Sequence, residues 1–366
     1  MNEMKTRLFI RTALIFCVLF SLTTVAESQT VRFSKRPKNI ILFIGDGMGP
    51  SQVTAGMTLS DNTFVLKKFR YAGLCTTFSY DRYVTDSAAA GTAIACGVKT
   101  RNGMLGMTPD SIPVPSIMEI AKKNGMVTGL VSTSAVTHAT PASFIAKNPG
   151  RGNYEDIALD FMSGKIDVFI GGGADHFIKR EDGKILANDL TRLGYDVVYT
   201  LDNLKKSGSR RIAGLLDKEH MAKSTEGRYG MLAEMTAKAI ETLSRSEKGF
   251  ILMVEGSQID FAGHEGNLEW NISEVLDFND AVSVAHDFAS RTGNTLVVVT
   301  ADHETGGLAL VGGSLEKKSV QGIYPTGNHT AVMVPVFSYG PGAEKFTGIM
   351  DNTDFFPAFK ELLRLK

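Results

Sequence analysis

The chain has 366 residues, with 39 Lys+Arg set against 39 Asp+Glu for a formal net charge of zero at pH 7. That balance supplies no general attraction to nucleic acid or to an anionic membrane surface, so no partner of either kind is expected. The length suits one large α/β domain or two small ones.

Lys5, Arg7 and Arg11 precede the apolar run Ala13-Leu14-Ile15-Phe16-Cys17-Val18-Leu19-Phe20, and Ala26-Glu27-Ser28 offers a small-residue cleavage site. A basic start, an apolar core too short to span a bilayer and a polar exit read as a secretory signal peptide over residues 1–28. Residues 29–366 are then expected as a single domain, periplasmic or secreted, with no membrane contact after cleavage. The competing reading is an uncleaved anchor. Cleavage would remove Cys17 and leave Cys75 and Cys96, which export allows to pair and burial allows to remain thiols.

Lys35-Arg36-Pro37-Lys38 is a solvated lead-in to the first strand, Ile40–Ile44, which ends in Gly45-Asp46. In Asp46-Gly47-Met48-Gly49-Pro50-Ser51 the glycines let backbone crowd a ligand and Pro50 can open a helix, although an ordinary strand-to-helix turn reads the same. Ala-rich sequence after Asp86-Ser87 predicts a helix start, a place that favours an anion or simply needs an N-cap. Val114–Lys123 reads as a helix closed by Asn124-Gly125, and Met126–Ser132 as a strand. Asn153–Met162 is a predicted helix and Ile166–Ile170 a predicted strand running into Gly171-Gly172-Gly173. Glu181–Lys223 carries the weakest pattern and is taken as a small excursion from the main sheet. Helices are then predicted at Tyr229–Leu243, Ile272–Ser290 and Thr353–Leu363, and strands at Phe250–Glu255, Thr295–Asp302 and Ala331–Phe337. Alternating β and α in this order predicts an α/β fold, doubly wound, with a mostly parallel central sheet and helices on both faces.

Three of the buried-strand patterns end in a carboxylate: Asp46, Glu255 and Asp302. Ligand crevices of such sheets lie beyond the carboxyl ends of the strands, so the three acids can converge there. Anions gathered at a half-buried site repel, and a metal cation is their natural neutralising partner. Asp260 and His264, four residues apart, share one face of a helix and make a carboxylate–imidazole pair suited to zinc. An ordinary surface pair has the same spacing. Asp302-His303 sits at a strand end before glycines that can turn both side chains to one side, and His329 lies in a loop ahead of the Ala331 strand. Ser87 is the candidate nucleophile; no histidine neighbours it in sequence, so a metal would have to activate it.

Together these segments closely resemble the alkaline phosphatases. The matching stretches are Asp46-Gly47-Met48-Gly49, Thr85-Asp86-Ser87-Ala88-Ala89, His138-Ala139-Thr140-Pro141-Ala142, Gly171-Gly172-Gly173, Glu255-Gly256, Asp260 with His264, Thr300-Ala301-Asp302-His303, and His329. They occur in the family's order over nearly the whole chain after residue 28. The resemblance implies two zinc ions and one magnesium ion. Asp260, His264 and His329 match the ligands of the first zinc, and Asp46, Asp302 and His303 those of the second. Asp46, Thr140 and Glu255 match the magnesium ligands, with Asp46 serving both ions. Ser87 matches the residue that becomes phosphoserine, and Arg151 the phosphate clamp that Asp86 would orient.

Residue 138 is His where some members of the family carry Asp. Magnesium prefers oxygen, so His138 is expected to reach it through water. Phe261 replaces a polar residue of some members, which removes one expected contact to phosphate. The stretch between His303 and His329 is short, so a crown-like insert is expected to be reduced or absent, and homodimer formation is left open. The expected substrates are small phosphate monoesters. Arg151 argues against a phosphodiesterase, and the absence of Cys at position 87 against a sulfatase. A binding protein with a dead site would need a catalytic part missing, and none is.

Overall fold

Every residue of the strand Asn39–Gly45 (β1) is buried, so both faces of the sheet are covered here, as its unbroken apolar sequence requires. The computed structural model describes residues 31–60 and 63–366; the signal-peptide reading falls outside them. From Phe33 to Lys366 the chain forms one compact unit. Among the described residues no helix is long and apolar enough to cross a membrane.

After β1 come α1 (Pro50–Leu59), β2 (Tyr71–Thr76), α2 (Ser87–Cys96), α3 (Ile117–Lys123), β3 (Val127–Ala135) and α4 (Ala139–Ser143). The chain continues through α5 (Tyr154–Asp160), β4 (Val168–Gly172), α6 (Asp175–Ile178), α7 (Leu186–Arg192), β5 (Asp196–Val198), α8 (Leu201–Lys206) and β6 (Ile212–Leu215). Next are α9 (Met231–Leu243), β7 (Phe250–Gly256), α10 (Gln258–His264), α11 (Leu268–Thr292) and β8 (Thr295–Thr300). The last part holds β9 (Glu304–Thr305), β10 (Ala309–Ser314), β11 (Ser319–Ile323), β12 (His329–Thr330), β13 (Val334–Tyr339), β14 (Gly348–Asp351) and α12 (Phe355–Leu363).

Local chemistry explains where several helices begin. A reciprocal Ser116–Glu119 capping box starts α3, so the helix opens at Ile117 rather than at Val114 as the periodicity predicts. Asn267 caps α11 by accepting from the Trp270 amide, so the helix opens at Leu268, four residues before the predicted start at Ile272.

The central sheet has the order β14-β2-β13-β8-β1-β7-β3-β4-β6-β5. Strand β13 is antiparallel to β2 and β8, and the other pairings are parallel. One helix group, α9 with α11, packs on β1, β3, β4, β7 and β8, while α3 and α4, joined to α2, reach β3 and β7. With every residue of β7 buried, the two groups lie on opposite faces, the doubly wound arrangement expected.

Two features depart from the sequence reading. Glu181–Lys223 is not an excursion: it supplies β5 and β6, which extend the main sheet, β6 in parallel register with β4 from Val168↔Ile212. Strands of three and four residues are too short for their alternation to show. Strand β2, which lies between β14 and β13, was also unforeseen. Its Gly73 interrupts the apolar pattern, yet a Cβ there would meet the Gly348 carbonyl oxygen at 2.7 Å. Between His303 and His329 the expected short insert is the β10–β11 hairpin. Cys75 and Cys96 are free, buried thiols, so no disulfide joins them, and burial pushes the Cys96 thiol up to about 12.

Candidate metal centre

Strand register explains why three carboxylates distant in sequence meet. Ile44 of β1 lies opposite Glu255 of β7 on one side and Thr300 of β8 on the other. Asp46 follows Ile44 by two residues and Asp302 follows Thr300 by two, so these two acids leave their strands in step, while Glu255 lies two residues behind them in register at the end of the adjacent strand. Each is fully buried.

Each carboxylate has one oxygen engaged and one without a hydrogen-bond donor. Asp46 Oδ2 accepts from Thr140 Oγ1 at 3.4 Å, Glu255 Oε2 from Ser132 Oγ at 2.6 Å, and Asp302 Oδ1 from the His303 and Gly47 amides at 3.1 and 3.3 Å. Asp46 Oδ1, Glu255 Oε1 and Asp302 Oδ2 are buried with no hydrogen-bond partner among the described residues. Such atoms are costly to leave unsatisfied, and ligand positions for cations account for them. Burial, with Asp302, Asp260 and Glu255 close by, pushes Asp46 well above the usual carboxylate range. Burial and then the charge of Asp260 push Asp302 up to about 7. Protonation is the alternative to a bound cation, so both shifts describe the same crowding of negative charge.

Donor atoms fall into three groups, each within 4.8 Å: Asp46, Asp302 and His303; Asp46, His138 and Glu255; and Asp260, His264 and His329. In the last, the loop histidine and the helical pair of α10 come together. His264 Nδ1 donates to the Gly327 carbonyl at 2.7 Å, and His329 Nδ1 to the Thr85 carbonyl at 2.9 Å. Carbonyls only accept, so both Nε2 atoms are left as lone-pair donors, and they face each other 3.1 Å apart. Two lone pairs this close need a cation or a proton between them. Asp260 Oδ1 stands 3.3 and 3.5 Å from the same two nitrogens. With protons on those nitrogens in place of a cation, hydrogen bonds from His264 and His329 hold Asp260 well below the carboxylate range against burial, and the Asp260 bond takes His264 up to about 9.

Ser87 is the first residue of α2 and is buried. Asp86 is the N-cap, its Oδ1 accepting from the Ala89 amide at 3.0 Å, so the capping reading of this segment holds. Asp86 Oδ2 accepts from Arg151 Nη1 at 3.0 Å and from the Gly103 amide at 3.0 Å. The second Arg151 nitrogen, Nη2, donates to His138 Nε2 at 3.3 Å. His138 Nδ1 is buried without a partner, and its ring meets His220 and Phe261 edge-on at 5.3 and 5.7 Å. His138, Asp46 and Glu255 each offer one donor atom to a group in which these atoms lie within 4.8 Å of one another.

A histidine does stand beside the serine, though 216 residues away in sequence: His303 Nε2 is 3.2 Å from Ser87 Oγ. The same nitrogen is 3.4 Å from Asp46 Oδ1 and 3.3 Å from Asp302 Oδ2. Burial and the charge of His329 hold His303 well below its usual range, so it is a neutral ring aimed at the unsatisfied oxygens. Several supporting residues escaped the sequence reading. Ser132 holds Glu255, Asn102 accepts from the Asp86 amide at 3.2 Å, and Glu304 accepts from Gln52 at 2.9 Å and the Gly307 and Leu308 amides at 3.1 Å. Only Glu304, inside Asp302-His303-Glu304-Thr305, carried a positional signal.

The family model described as alkaline phosphatase matches residues 37–321. Alkaline phosphatase 4 of Bacillus subtilis is 34% identical, over 87% of this chain and 87% of its own length. The structure of alkaline phosphatase from the Antarctic bacterium TAB5 superposes with a TM-score of 0.86 at 40% identity, over 91% of this chain and 99% of that one. A His-to-Asp variant of the TAB5 enzyme, with magnesium bound in its M3 site, superposes with the same TM-score at 39% identity and the same coverage.

Proposed function

The chain belongs to the alkaline phosphatase family of phosphate monoester hydrolases, and from that premise we propose that it is an exported enzyme acting through a phosphoserine at Ser87. Two zinc ions and one magnesium ion complete the site in this reading. Asp260, His264 and His329 would hold the first zinc; Asp46, Asp302 and His303 the second; and Asp46, Thr140 and Glu255 the magnesium. The carrying observation is the set of buried, unpartnered oxygens Asp46 Oδ1, Glu255 Oε1 and Asp302 Oδ2 around Ser87 and His303. When bound, the ions supply positive charge that favours the serine alkoxide and the departing alcohol oxygen.

Ser87 Oγ attacks phosphorus as the ester oxygen leaves, forming a serine phosphate and releasing the alcohol. Water then attacks the same phosphorus, and the Ser87 oxygen leaves, yielding inorganic phosphate and the free hydroxyl. Arg151 offers a planar fork to two phosphate oxygens, and Asp86 keeps that fork aimed by holding Nη1. The free amides at the start of α2 add their partial positive charge to the phosphoryl oxygens. His138 closes the other side of the fork through Nη2. The TAB5 variant with magnesium in its M3 site supports placing His138 at the magnesium pocket.

Export rests on the basic and apolar pattern of residues 1–28. Hydrolysis of an aryl phosphate monoester, the matching diester and the sulfate, side by side with zinc and magnesium present, tests the proposal. The monoester should be turned over far faster than the other two. A faster diester or sulfate would reassign the chemistry.

A further inference from the structure

Two clusters of donor atoms share one neighbour that nothing above uses. Thr305 lies two residues beyond His303, and its backbone pairs with His329 across the β9–β12 bridge. Its Oγ1 makes a short hydrogen bond to Asp260 Oδ1 and lies 3.3 Å from His303 Nδ1. A hydroxyl has one proton. A carboxylate oxygen can only accept, so that proton goes to Asp260, and the hydroxyl lone pair must accept from His303 Nδ1–H. His303 is thereby set with its proton on Nδ1 and its Nε2 lone pair toward Asp46, Asp302 and Ser87.

The surroundings hold Thr305 in this place. Its amide donates to the Gly47 carbonyl at 3.1 Å, and its carbonyl accepts from Gln52 Nε2 at 3.0 Å. A Cβ at Gly47 would meet Thr305 Oγ1 at 2.6 Å, and one at Gly263 would meet Thr305 Cγ2 at 3.0 Å. Backbone from the Asp46 turn and from α10 thus closes on this one side chain.

We propose that Thr305 is a positioning residue that couples the two ligand clusters, orienting Asp260 of one and His303 of the other through a single hydroxyl. The proposal rests on the zinc reading above for its consequence but not for its geometry. Outer partners of metal ligands typically tune affinity by about 10–100-fold. Thr305→Val removes the hydroxyl at nearly constant shape; Thr305→Ser keeps it.

Zinc-loaded, full-length enzyme is challenged with a chromogenic chelator, and zinc release from both pockets is followed. Thr305→Val should release zinc from both pockets roughly 10–100-fold faster, and Thr305→Ser should behave as the unaltered chain. Release at the unaltered rate, acceleration in one pocket alone, or equal effects of Val and Ser would overturn the coupling. Should Val prevent folding, Thr305→Ala compared with Thr305→Ser asks the same question. Nitrogen-15 spectra of the imidazoles in metal-free protein provide a separate reading: His303 should keep its proton on Nδ1, and lose that preference in Thr305→Val. An unchanged ring overturns the proposal, whereas an unaltered chain that binds no zinc while showing the tautomer change would fault the metal reading alone.

Discussion

Arg151 Nη1 donates to Asp86 Oδ2 at 3.0 Å, and Asp86 also caps the helix whose first residue is Ser87. The same carboxylate therefore sets the direction of the phosphate fork and the start of the nucleophile's helix. A monoester dianion has three non-bridging oxygens, so two can meet that fork while the third faces the metal pockets, whereas a diester has only two and carries less charge. Arg151→Ala should cost about 2–4 kcal/mol in transition-state binding for the monoester, roughly thirty- to a thousandfold in rate. The diester should lose much less, which kcat/KM on the matched pair measures. Equal losses would assign Arg151 to support of the fold or the metals.

Ser87→Ala should remove most monoester hydrolysis. Acid quenching during turnover and peptide mapping should find phosphate on Ser87. Label on Thr85, whose carbonyl receives the His329 ring, would mean that the wrong hydroxyl had been chosen.

Chelation to verified metal-free protein should abolish hydrolysis, and zinc with magnesium should restore it. Full activity without metal would be incompatible with a cation role for the three unpartnered oxygens.

His138→Asp replaces a nitrogen by oxygens where Asp46 and Glu255 already present theirs. Magnesium should bind more tightly, with zinc content unchanged and turnover slowed. Equilibrium magnesium titration decides the matter, since an unchanged affinity would show that residue 138 does not tune the pocket.

Arg228 is buried between Glu274 and Asp277 of α11, with Nη1 2.6 Å from Asp277 Oδ2, and its Nε donates to the Ala222 carbonyl at 2.7 Å. Arg228→Ala would leave two buried carboxylates without their cation. Losses of about 3–5 kcal/mol are typical of breaking such a buried pair. A clear fall in thermal midpoint should follow, measured on metal-loaded protein. Arg228→Ala with an unchanged midpoint would show that the triad contributes little.

The sequence by itself determined the class of the fold and the residue types of the site. Buried strands such as Ile40–Ile44 and Leu296–Val299 announce themselves because a strand covered on both faces must be continuously apolar, and that is a local property. The family's ordered motifs likewise named Asp46, Ser87, Arg151 and the histidines before any geometry was known. Tertiary structure alone decided what those residues meet. Gly47 and Asp302 are 255 positions apart, and their hydrogen bond depends on β8 pairing with β1 in one register. The facing Nε2 atoms of His264 and His329, the approach of His303 to Ser87, and the place of Thr305 between the clusters follow from the same strand order. The short strands β5 and β6, at one end of the sheet, stayed hidden for the converse reason. Their stability comes from neighbours in the sheet, and so few residues of their own leave no period to read.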